Sequence, residues 1–327
     1  MVSRRDWIGM TVGAGAALTL NPRLLEALQQ GQLIQRAIPS TGERVPVIGL
    51  GSSATFSSVA RSEDKTALKE VLKTMVDMGG KVFDTAPSYG ASEQVAGEIA
   101  KELGITNKIF WATKVNVARG GAADPAAARA QIESSFQKFG VQKMDAIQVH
   151  NLGDVPTQFG ILKELKKEGR VRYIGVTTTN QNQYGALAEI MRNEPLDLIG
   201  VDYAIDNREV EQTILPLAQE RKIGVLIYAP LGRNRLLARV GDRPLPDWSK
   251  DFGATTWAQF FIKYIVAHPA VTSVTAATSQ AKHMAENLRA GMGNVPDAAA
   301  LQKMRELVDA LPPAPPRGRG RGAGAGW

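Results

Sequence analysis

Three short apolar runs in this sequence each end on a side chain that can hold or transfer a proton. The first run ends on Asp84 and opens into a loop that carries Tyr89, and the next two end on Lys114 and His150. In α/β proteins, chemistry is commonly placed where a strand opens into a loop. Taken singly, each residue also has a structural explanation, such as a helix cap, a packed aromatic, a solvated lysine or a core histidine. Their occurrence at three successive strand ends favours one shared site.

These residues lie in motifs that resemble those of the aldo/keto reductase family. The motifs are Phe83-Asp84-Thr85-Ala86, Ser88-Tyr89-Gly90, Ser92-Glu93, Ala112-Thr113-Lys114 and Gln148-Val149-His150-Asn151. The resemblance extends over roughly residues 40 to 311, which is most of the chain. It implies that the protein reduces an aldehyde or ketone to an alcohol, or catalyses the reverse reaction. Because no side chain can donate hydride, a nicotinamide cofactor, NADP(H) or NAD(H), is implied as well.

The resemblance also implies a role for each of the four polar residues. Tyr89 is expected to be the general acid in reduction and the base in oxidation. A free tyrosine has a pKa of about 10, and the ammonium group of Lys114 is expected to lower this pKa by favouring the phenolate. Asp84 is expected to pair with Lys114 and hold it in position. His150 is expected to hydrogen-bond the substrate oxygen and orient it.

The positions around the nicotinamide ring match the family less closely. Relatives usually have Ser-Asn after the fifth barrel strand, where this chain has Thr177 and Thr178, and a glutamine after the sixth, where it has Gly200. The threonine hydroxyls can still hydrogen-bond the carboxamide of nicotinamide. Tyr203 is a candidate for stacking on the nicotinamide ring, and packing in the core explains it equally well.

Two later segments resemble the parts of the family site that hold the rest of the cofactor. The stretch 228–233 resembles the loop over the pyrophosphate, with Leu231 and Arg233 as the expected contacts. The start of the last barrel helix resembles the adenosine site. Its expected contacts are Thr278, Ser279, Gln280, Lys282, Glu286 and Asn287.

The choice between NADP and NAD depends on a cation that can bind the 2′-phosphate of NADP. Many reductases of this family place a Lys and an Arg where this chain has Ala277 and His283. Lys282 is the cation that remains beside His283. A lysine cannot make the bidentate contact that an arginine makes. We therefore expect NADPH to be used, with a weaker preference over NADH than in relatives that carry the arginine.

The elements that must position these residues alternate between strand and helix patterns. Eight apolar runs, beginning at Val47, are separated by segments with helical spacing, which predicts parallel strands with helices outside. Eight such units in about 270 residues match a (β/α)8 or TIM barrel. An N-terminal β-hairpin, with strands at 32–37 and 44–50, is expected to close the barrel bottom, and an extra C-terminal helix is expected at 297–310. A doubly wound sheet is the alternative, disfavoured because no Gly-x-Gly-x-x-Gly follows the first strand.

The composition limits the classes of function. With 327 residues, 44% of them hydrophobic, the chain can bury a sizeable core. The net charge is +7, but Arg317, Arg319 and Arg321 of the tail supply three of these charges, and no basic stripe argues for nucleic acid. The absence of cysteine excludes disulfides and thiolate chemistry, and three histidines disfavour a multi-histidine metal site. We expect no metal.

The two ends of the chain differ from the rest. The segment Ser3-Arg4-Arg5-Asp6-Trp7-Ile8 resembles a twin-arginine export signal, and the mildly apolar stretch after it is too short to span a bilayer. A disordered leader or a short amphipathic helix is the alternative. We expect three parts: a signal segment at 1–30, the barrel at 31–311 and a disordered Pro/Arg/Gly-rich tail at 312–327. The twin-arginine export machinery is then an expected partner, and the periplasm the expected location.

Two further functions are compatible with such a barrel. One is a non-catalytic nicotinamide-binding sensor or scaffold. The other is a glycosidase-type enzyme, which needs two facing carboxylates, and Asp84 and Asp202 are candidates. The substrate is expected to be a small carbonyl or alcohol compound. Its contacts should lie in the loops at 117–123 and 230–252, with Phe56 and Trp248 as candidate pocket walls.

Overall fold

A computed structural model of the protein describes residues 31–118 and 120–314. Within these ranges, eight parallel strands form a closed barrel in the order β10-β3-β4-β5-β6-β7-β8-β9, with helices in the connections. The predicted (β/α)8 barrel is therefore confirmed. The doubly wound sheet is excluded, because an open sheet has two edges whereas here the last strand pairs with the first barrel strand. The predicted signal segment and most of the predicted tail lie outside the described residues.

The barrel strands are three to eight residues long. They are β3 (Ile48–Gly51), β4 (Val82–Asp84), β5 (Phe110–Val115), β6 (Met144–Val149), β7 (Val171–Thr178), β8 (Leu198–Asp202), β9 (Gly224–Tyr228) and β10 (Val271–Ala277). Successive side chains on each strand alternate between the barrel interior and the surrounding helices. This alternation decides which of two neighbouring residues faces the site.

The N-terminal hairpin consists of β1 (Gln35–Ala37) and β2 (Arg44–Pro46), paired antiparallel. The predicted run 44–50 is thus two strands, and it divides at Pro46, which has no N–H for further pairing. Ile38 and Val45 of the hairpin region pack with residues of the lower barrel interior, including Phe110 and Tyr173. The hairpin therefore covers the bottom of the barrel, as the sequence predicted.

The helices surround the barrel. They are α1 (Thr55–Val59), α2 (Thr66–Asp77), α3 (Ser92–Glu102), α4 (Pro125–Phe139), α5 (Val155–Lys167), α6 (Tyr184–Asn193), α7 (Ile214–Glu220), α8 (Arg235–Val240), α9 (Trp257–Val266), α10 (Ala281–Ala290) and the extra C-terminal α11 (Ala298–Asp309). The start of α4 follows the predicted chemistry: Asp124 accepts a hydrogen bond from the Ala126 N–H at 2.9 Å, and Pro125 is the first helical residue. The short helices α1 and α8 were not predicted, because five or six residues are too few to show a helical period.

The main core lies between the barrel and its helices. A run of aromatic rings connects α1, β4, β5 and α4 through Phe56, Phe83, Trp111 and Phe139. Phe56 is completely buried among these rings and has no surface that a substrate could contact. The prediction that it lines a substrate pocket is therefore wrong. Trp248 packs against Phe252 and Phe260 and is partly buried, so its prediction as a pocket wall stays a prediction. Among the described residues, no helix has the length and apolar character needed to cross a membrane.

Candidate active site

The buried ion pair of Lys114 and Asp84 is the centre of the site. Asp84 is the last residue of β4, and Lys114 lies one residue before the end of the neighbouring β5. Lys114 Nζ is 2.7 Å from Asp84 Oδ2 and donates a second hydrogen bond of 2.7 Å to the carbonyl oxygen of Thr85. Both side chains are almost fully buried. Burial raises the pKa of Asp84, and the charge of Lys114 acts against that rise.

Tyr89 is held above this pair by a tight turn after β4. The Tyr89 N–H donates to the carbonyl oxygen of Ala86 at 2.9 Å, and Pro87 and Gly90 suit the bends of this loop. The Tyr89 ring lies edge-on to the ring of His150, with 5.8 Å between centroids. Lys114 Nζ is 5.5 Å from the centre of the Tyr89 ring. The loop thus brings the expected acid next to both of its expected helpers.

His150 follows β6 in a short turn that keeps its side chain buried. The next residue, Asn151, has a left-handed backbone (φ 54°), which asparagine tolerates better than most residues, and its N–H donates to Thr177 Oγ1 at 3.3 Å. Asn116 Nδ2 donates to His150 Nδ1 at 3.3 Å. A neutral imidazole whose Nδ1 accepts a hydrogen bond carries its proton on Nε2. His150 is therefore set up to donate from Nε2.

Burial has the largest effect on the pKa values of His150 and Tyr89. It lowers the pKa of His150 to about 4, with a further contribution from the Lys114 charge, so the imidazole is neutral at pH 7. For Tyr89, burial raises the pKa above its usual value, while the charges of Lys114 and Arg233 act to lower it and Asp84 acts to raise it. The expectation of a lowered tyrosine pKa was therefore wrong for the net shift. Lys114 acts in the expected direction, but desolvation outweighs it.

The Ser92-Glu93 part of the motif stabilises the strand that carries Lys114. Glu93 is buried in the first turn of α3, where it accepts hydrogen bonds from Thr113 Oγ1 at 2.7 Å, Ser135 Oγ at 2.8 Å and Lys138 Nζ at 2.9 Å. Thr113 precedes Lys114 on β5, and Ser135 and Lys138 belong to α4. One carboxylate thus ties two helices to the strand that carries Lys114.

The two threonines at the end of β7 lie in different surroundings. Thr177 is on the interior side, and its hydroxyl meets the turn that follows His150. The Thr178 hydroxyl donates to Gln183 Oε1 at 2.5 Å and accepts from the Asn180 N–H at 3.1 Å, so its hydrogen-bonding capacity is used by the start of α6. The geometry therefore favours Thr177 as a contact of the nicotinamide carboxamide.

The structure does not support Tyr203 as the residue that stacks on nicotinamide. Its hydroxyl donates to Glu211 Oε1 at 2.6 Å, and its ring packs beside Tyr264 and His268 among the outer helices. Asp202 faces the barrel, so strand alternation turns Tyr203 outward. Tyr228, at the end of β9, does face the site, and its hydroxyl lies within hydrogen-bond distance of Asp84. The sequence pointed to Tyr228 only as the first residue of a cofactor loop.

The loop after β9 has the shape of a backbone cradle. Ala229, Gly232, Arg233 and Asn234 all have positive φ angles, and successive left-handed turns of this kind expose N–H groups to an anion. Leu231 is partly buried against the core, and Arg233 Nη1 donates to Asp202 Oδ2 at 3.1 Å.

Both candidate glycosidase carboxylates are paired with cations, Asp84 with Lys114 and Asp202 with Arg233. This argues against the glycosidase alternative.

The predicted adenosine residues lie together at the start of α10. Thr278 Oγ1 accepts from the Gln280 N–H at 3.1 Å and shapes the turn into the helix, with Ser279 partly buried beside it. One turn further, Glu286 is partly buried and Asn287 is buried. Lys282 is exposed at the first turn. His283 is buried, and desolvation together with the charge of Lys282 lowers its pKa, so it is neutral at pH 7.

Two cavities lie at the opposite end of the barrel. Their volumes are about 410 and 490 Å³, and both are lined by Glu43 and Arg172. Arg172 pairs with Glu43 and with Asp145, which joins the hairpin to the bottom of the barrel. No member of the Asp84, Tyr89, Lys114 and His150 set lines either cavity, so we place the chemistry at the mouth. In the described part of the chain, no group of three or more His, Asp or Glu residues could hold a metal ion.

Two residues near the site were not among the site residues predicted from the sequence. Asn116 fixes the tautomer of His150, and the side-chain amide of Gln148 lies 3.1 Å from the Tyr228 hydroxyl. Gln148 is part of the Gln-Val-His-Asn motif, and its position two residues before His150 already indicated the same side of the strand. Asn116 lies in an irregular loop, where no period shows which way a side chain points.

Comparison with known proteins agrees with this geometry. The sequence profile of the aldo/keto reductase family matches residues 47–308. The aldo-keto reductase YhdN of Bacillus subtilis is 29% identical over 214 residues, covering 62% of this chain and 64% of YhdN. Probable aldo-keto reductase 1 of Glycine max is 28% identical over 221 residues, covering 63% and 62%. The matches thus span just under two thirds of the length of these two relatives.

Solved structures share the same barrel. The holo form of aldo-keto reductase AKR11C1 from Bacillus halodurans superposes with a TM-score of 0.68 at 23% identity, covering 84% of this chain and 96% of that one. An aldo/keto reductase from Klebsiella pneumoniae, solved in complex with NADP and acetate, gives 0.67 at 23% identity, covering 86% and 96%. The family profile spans most of the barrel and every residue of the buried site. The chain therefore belongs to the aldo/keto reductase family.

Proposed function

We propose that this protein is an NADPH-dependent oxidoreductase that reduces an aldehyde or ketone to an alcohol, or runs the reverse reaction. The observation that carries the proposal is the convergence of four groups at one barrel mouth. Lys114 and Asp84 form a buried pair at 2.7 Å, and the Tyr89 ring lies against both Lys114 and His150. An acid, a neutral hydrogen-bond donor and a charged pair around one point are the groups that protonation of a carbonyl oxygen requires.

Tyr89 acts as the proton donor. Because its pKa is raised, the phenol is protonated at neutral pH and can give its proton to the carbonyl oxygen during reduction. Negative charge then develops on the phenol oxygen, and the nearby ammonium of Lys114 stabilises it. Asp84 holds Lys114 in place through the hydrogen bond of 2.7 Å between their side chains. Oxidation, which needs the phenolate, should be favoured at alkaline pH.

His150 orients the substrate. Its Nδ1 is occupied by the Asn116 amide, which leaves the Nε2–H as the donor. The neutral ring donates a hydrogen bond without competing with Tyr89 for the proton, because its pKa is about 4. A carbonyl oxygen between the Nε2–H and the Tyr89 hydroxyl would be held by both.

The chain has the donors that a nicotinamide dinucleotide needs. Thr177 faces the mouth beside His150, the left-handed loop around Gly232 can cradle the pyrophosphate, and Thr278 opens a helix N-terminus toward the adenosine phosphate. When bound, the cofactor supplies the hydride. The Klebsiella relative solved with NADP supports NADP(H) as the cofactor, and the exposed Lys282 is the cation for its 2′-phosphate.

The alternative is a nicotinamide-binding sensor or scaffold that does not turn over. The two are separated by measuring NADPH consumption at 340 nm with a set of simple aldehydes and ketones, together with NADPH binding by fluorescence. We expect both binding and turnover. Tight NADPH binding without turnover of any carbonyl compound would support the sensor, and absence of nicotinamide binding would contradict both.

We also propose that the protein is exported by the twin-arginine machinery and acts in the periplasm. The support is the Arg4-Arg5 motif with its mildly apolar continuation. Twin-arginine export carries folded proteins, which suits a barrel whose cofactor site is built from strand ends far apart in sequence. The corresponding experiment is described in the Discussion.

A further inference from the structure

The space above Gly200 is filled by the side chain of Tyr228. A Cβ atom added to Gly200 would lie 2.3 Å from the Tyr228 hydroxyl oxygen and 2.4 and 2.5 Å from two carbons of its ring. Real Cβ contacts are not that short, so no larger residue fits at position 200 while Tyr228 keeps its place. Gly200 stands where relatives usually have a glutamine. The loss of that side chain opens the room that the Tyr228 ring occupies.

In this position, the Tyr228 hydroxyl reaches the ion pair of the site. It lies 3.2 Å from Asp84 Oδ1 and 3.1 Å from Gln148 Oε1. Asp84 Oδ2 is the oxygen that accepts from Lys114, so the two carboxylate oxygens have different partners. Lys114 Nζ is also 5.1 Å from the centre of the Tyr228 ring, about as far as from the Tyr89 ring at 5.5 Å. The ammonium group is thus flanked by two tyrosines.

The side-chain amide of Gln148 indicates which groups donate and which accept in the hydrogen bonds that join Gln148, Tyr228 and Asp84. A phenol has one proton and cannot donate fully to both Asp84 and Gln148. Gln148 Nε2 is buried and has no hydrogen-bond partner among the described residues. Exchanging the nitrogen and oxygen of this amide, which have nearly the same shape, gives the nitrogen an acceptor and ends the competition for the phenol proton. Gln148 then donates to the Tyr228 oxygen, and Tyr228 donates to Asp84.

We propose that Tyr228 is a positioning residue of the active site, which holds Asp84 through its hydroxyl in the space that Gly200 leaves open. This rests on the proposed reductase function. Tyr228 fixes one carboxylate oxygen, so that the other points to Lys114 and Lys114 remains beside Tyr89. The pKa of the Tyr228 phenol is raised well above its usual value, by burial and by the charge of Asp84, so it remains a donor at all working pH values.

The hydrogen bond has a predictable electrostatic effect. Burial raises the pKa of Asp84, while the charge of Lys114, its hydrogen bond and the hydrogen bond from Tyr228 lower it. The charged and titratable side chains around the pair are Lys114, Tyr228, Tyr89, His150 and Arg233. Removing only the Tyr228 hydroxyl takes away a donor to the carboxylate, so Asp84 should bind a proton at higher pH. Lys114 would then lose its partner at higher pH as well.

The test is the pH dependence of kcat/KM for Tyr228→Phe. The phenylalanine keeps the ring, so any stacking role is preserved and only the hydroxyl is lost. We expect kcat/KM at pH 7 to fall about tenfold and the acid limb of the profile to move up by about one pH unit, the usual effect of losing one hydrogen bond to a charged group. NADPH binding, measured by fluorescence, should change less than about twofold.

Two further variants make the result decisive. Gly200→Ala keeps the tyrosine but displaces its ring, so it should move the acid limb in the same direction, and the double variant should move it no further. Tyr173→Phe is the control, since it removes a hydroxyl that bonds Thr41 at 2.8 Å at the other end of the barrel. It should leave the profile unchanged. Acid limbs of Tyr228→Phe and Gly200→Ala that superpose on the wild type would overturn the proposal.

A measurement without turnover separates this proposal from the proposed function. The carboxyl carbon of Asp84 can be followed by 13C NMR during a pH titration and assigned with Asp84→Asn. If the wild type reduces no carbonyl compound, the reductase function fails, but the Asp84 titration should still move to higher pH in Tyr228→Phe. An Asp84 titration that is the same in both proteins would show that Tyr228 only packs.

Discussion

At the scale of single residues, the site depends on the buried ammonium group of Lys114, a charge that is costly to place in an apolar interior. Lys114 is 1% exposed, and a buried charge is costly unless it is paired and hydrogen-bonded. Asp84 and the Thr85 carbonyl compensate the ammonium at 2.7 Å each. Removing one partner of such a pair typically costs about 3–5 kcal/mol, because the other charge remains buried and uncompensated. A buried pair of this kind is weak evidence for stability, and we propose that its role is its effect on Tyr89.

Replacing Tyr89 by phenylalanine should remove the proton donor and leave the packing against His150 intact. The rate of carbonyl reduction should fall by about 100-fold or more, the usual contribution of a general acid. Binding of NADPH should persist. The matched control is Tyr184→Phe, which loses a hydroxyl that donates to the backbone of Asp202 at 3.3 Å, outside the four-residue set. Turnover of Tyr89→Phe close to that of this control would show that Tyr89 is not the acid.

His150 should make the stability of the protein depend on pH. The unfolded chain binds a proton at this residue near pH 6.5, whereas burial keeps the folded pKa at about 4. The unfolded state therefore binds more protons between these values, and the free energy of unfolding should decrease as the pH falls from 6.5 to 4. The contribution is up to about 3 kcal/mol.

Urea unfolding at pH 7 and pH 4.5 measures this contribution. The wild type should lose more stability over the interval than His150→Gln, which has no titrating imidazole. Other carboxylates titrate in the same window, so the difference between the two proteins is the relevant quantity. Equal losses in both proteins would contradict a buried neutral His150.

At the scale of elements, each part of the site comes from the end of a strand and is fixed by the element that follows. The turn after β4 presents Tyr89, Glu93 of α3 ties β5 to α4, and the turn after β6 holds His150. Gln158 of α5 accepts from the Val117 N–H at 3.1 Å and so anchors the loop next to Asn116. Each proposed site residue is thus held by hydrogen bonds from a neighbouring element.

The start of α10 should decide the preference for NADPH. Lys282→Ala should narrow the ratio of kcat/KM for NADPH over NADH, chiefly through the Michaelis constant for NADPH, because the variant lacks the cation near the 2′-phosphate. His283 cannot replace it at pH 7, since its pKa is lowered. Lys303→Ala on α11 is a charge-matched control away from this turn. A ratio that is the same in Lys282→Ala as in the wild type would show that Lys282 does not bind the phosphate.

At the scale of the whole molecule, the barrel combines residues that lie far apart in the chain. Tyr89 and Tyr228 flank the same ammonium group although 139 positions separate their numbers. The hairpin covers one end of the barrel and leaves the other for the site. Such a site exists only in the folded chain, which agrees with our proposal of export in the folded state.

Replacing Arg4 and Arg5 together by lysine should prevent export. The two lysines keep the charge, so a signal of the general secretory type would tolerate them, whereas the twin-arginine machinery recognises the arginines themselves. Cell fractionation should find the wild type in the periplasm and the variant in the cytoplasm. Neither arginine belongs to the proposed catalytic or cofactor residues, so we expect turnover of the purified variant to equal that of the wild type. Export of the variant would contradict the assignment.

The sequence by itself determined the architecture and the four-residue centre of this protein. The order of strands and helices follows from local apolar periods, and the end of a strand is visible as the residue where such a period stops. Asp84, Lys114 and His150 could be predicted as neighbours because parallel strands of one barrel all end on the same side. The family motifs added Tyr89 and the cofactor contacts.

Only the tertiary structure decided which side chains share that space and what charge they carry. Tyr228 faces the site and Tyr203 does not. This difference depends on strand alternation and on the space above Gly200, which exists only because β8 and β9 lie side by side. The pKa of Tyr89 rises because desolvation by residues from several elements outweighs one nearby ammonium group. The burial of a side chain depends on all of its neighbours in space, and many of these are distant in the sequence. It therefore cannot be predicted from the order of residues alone.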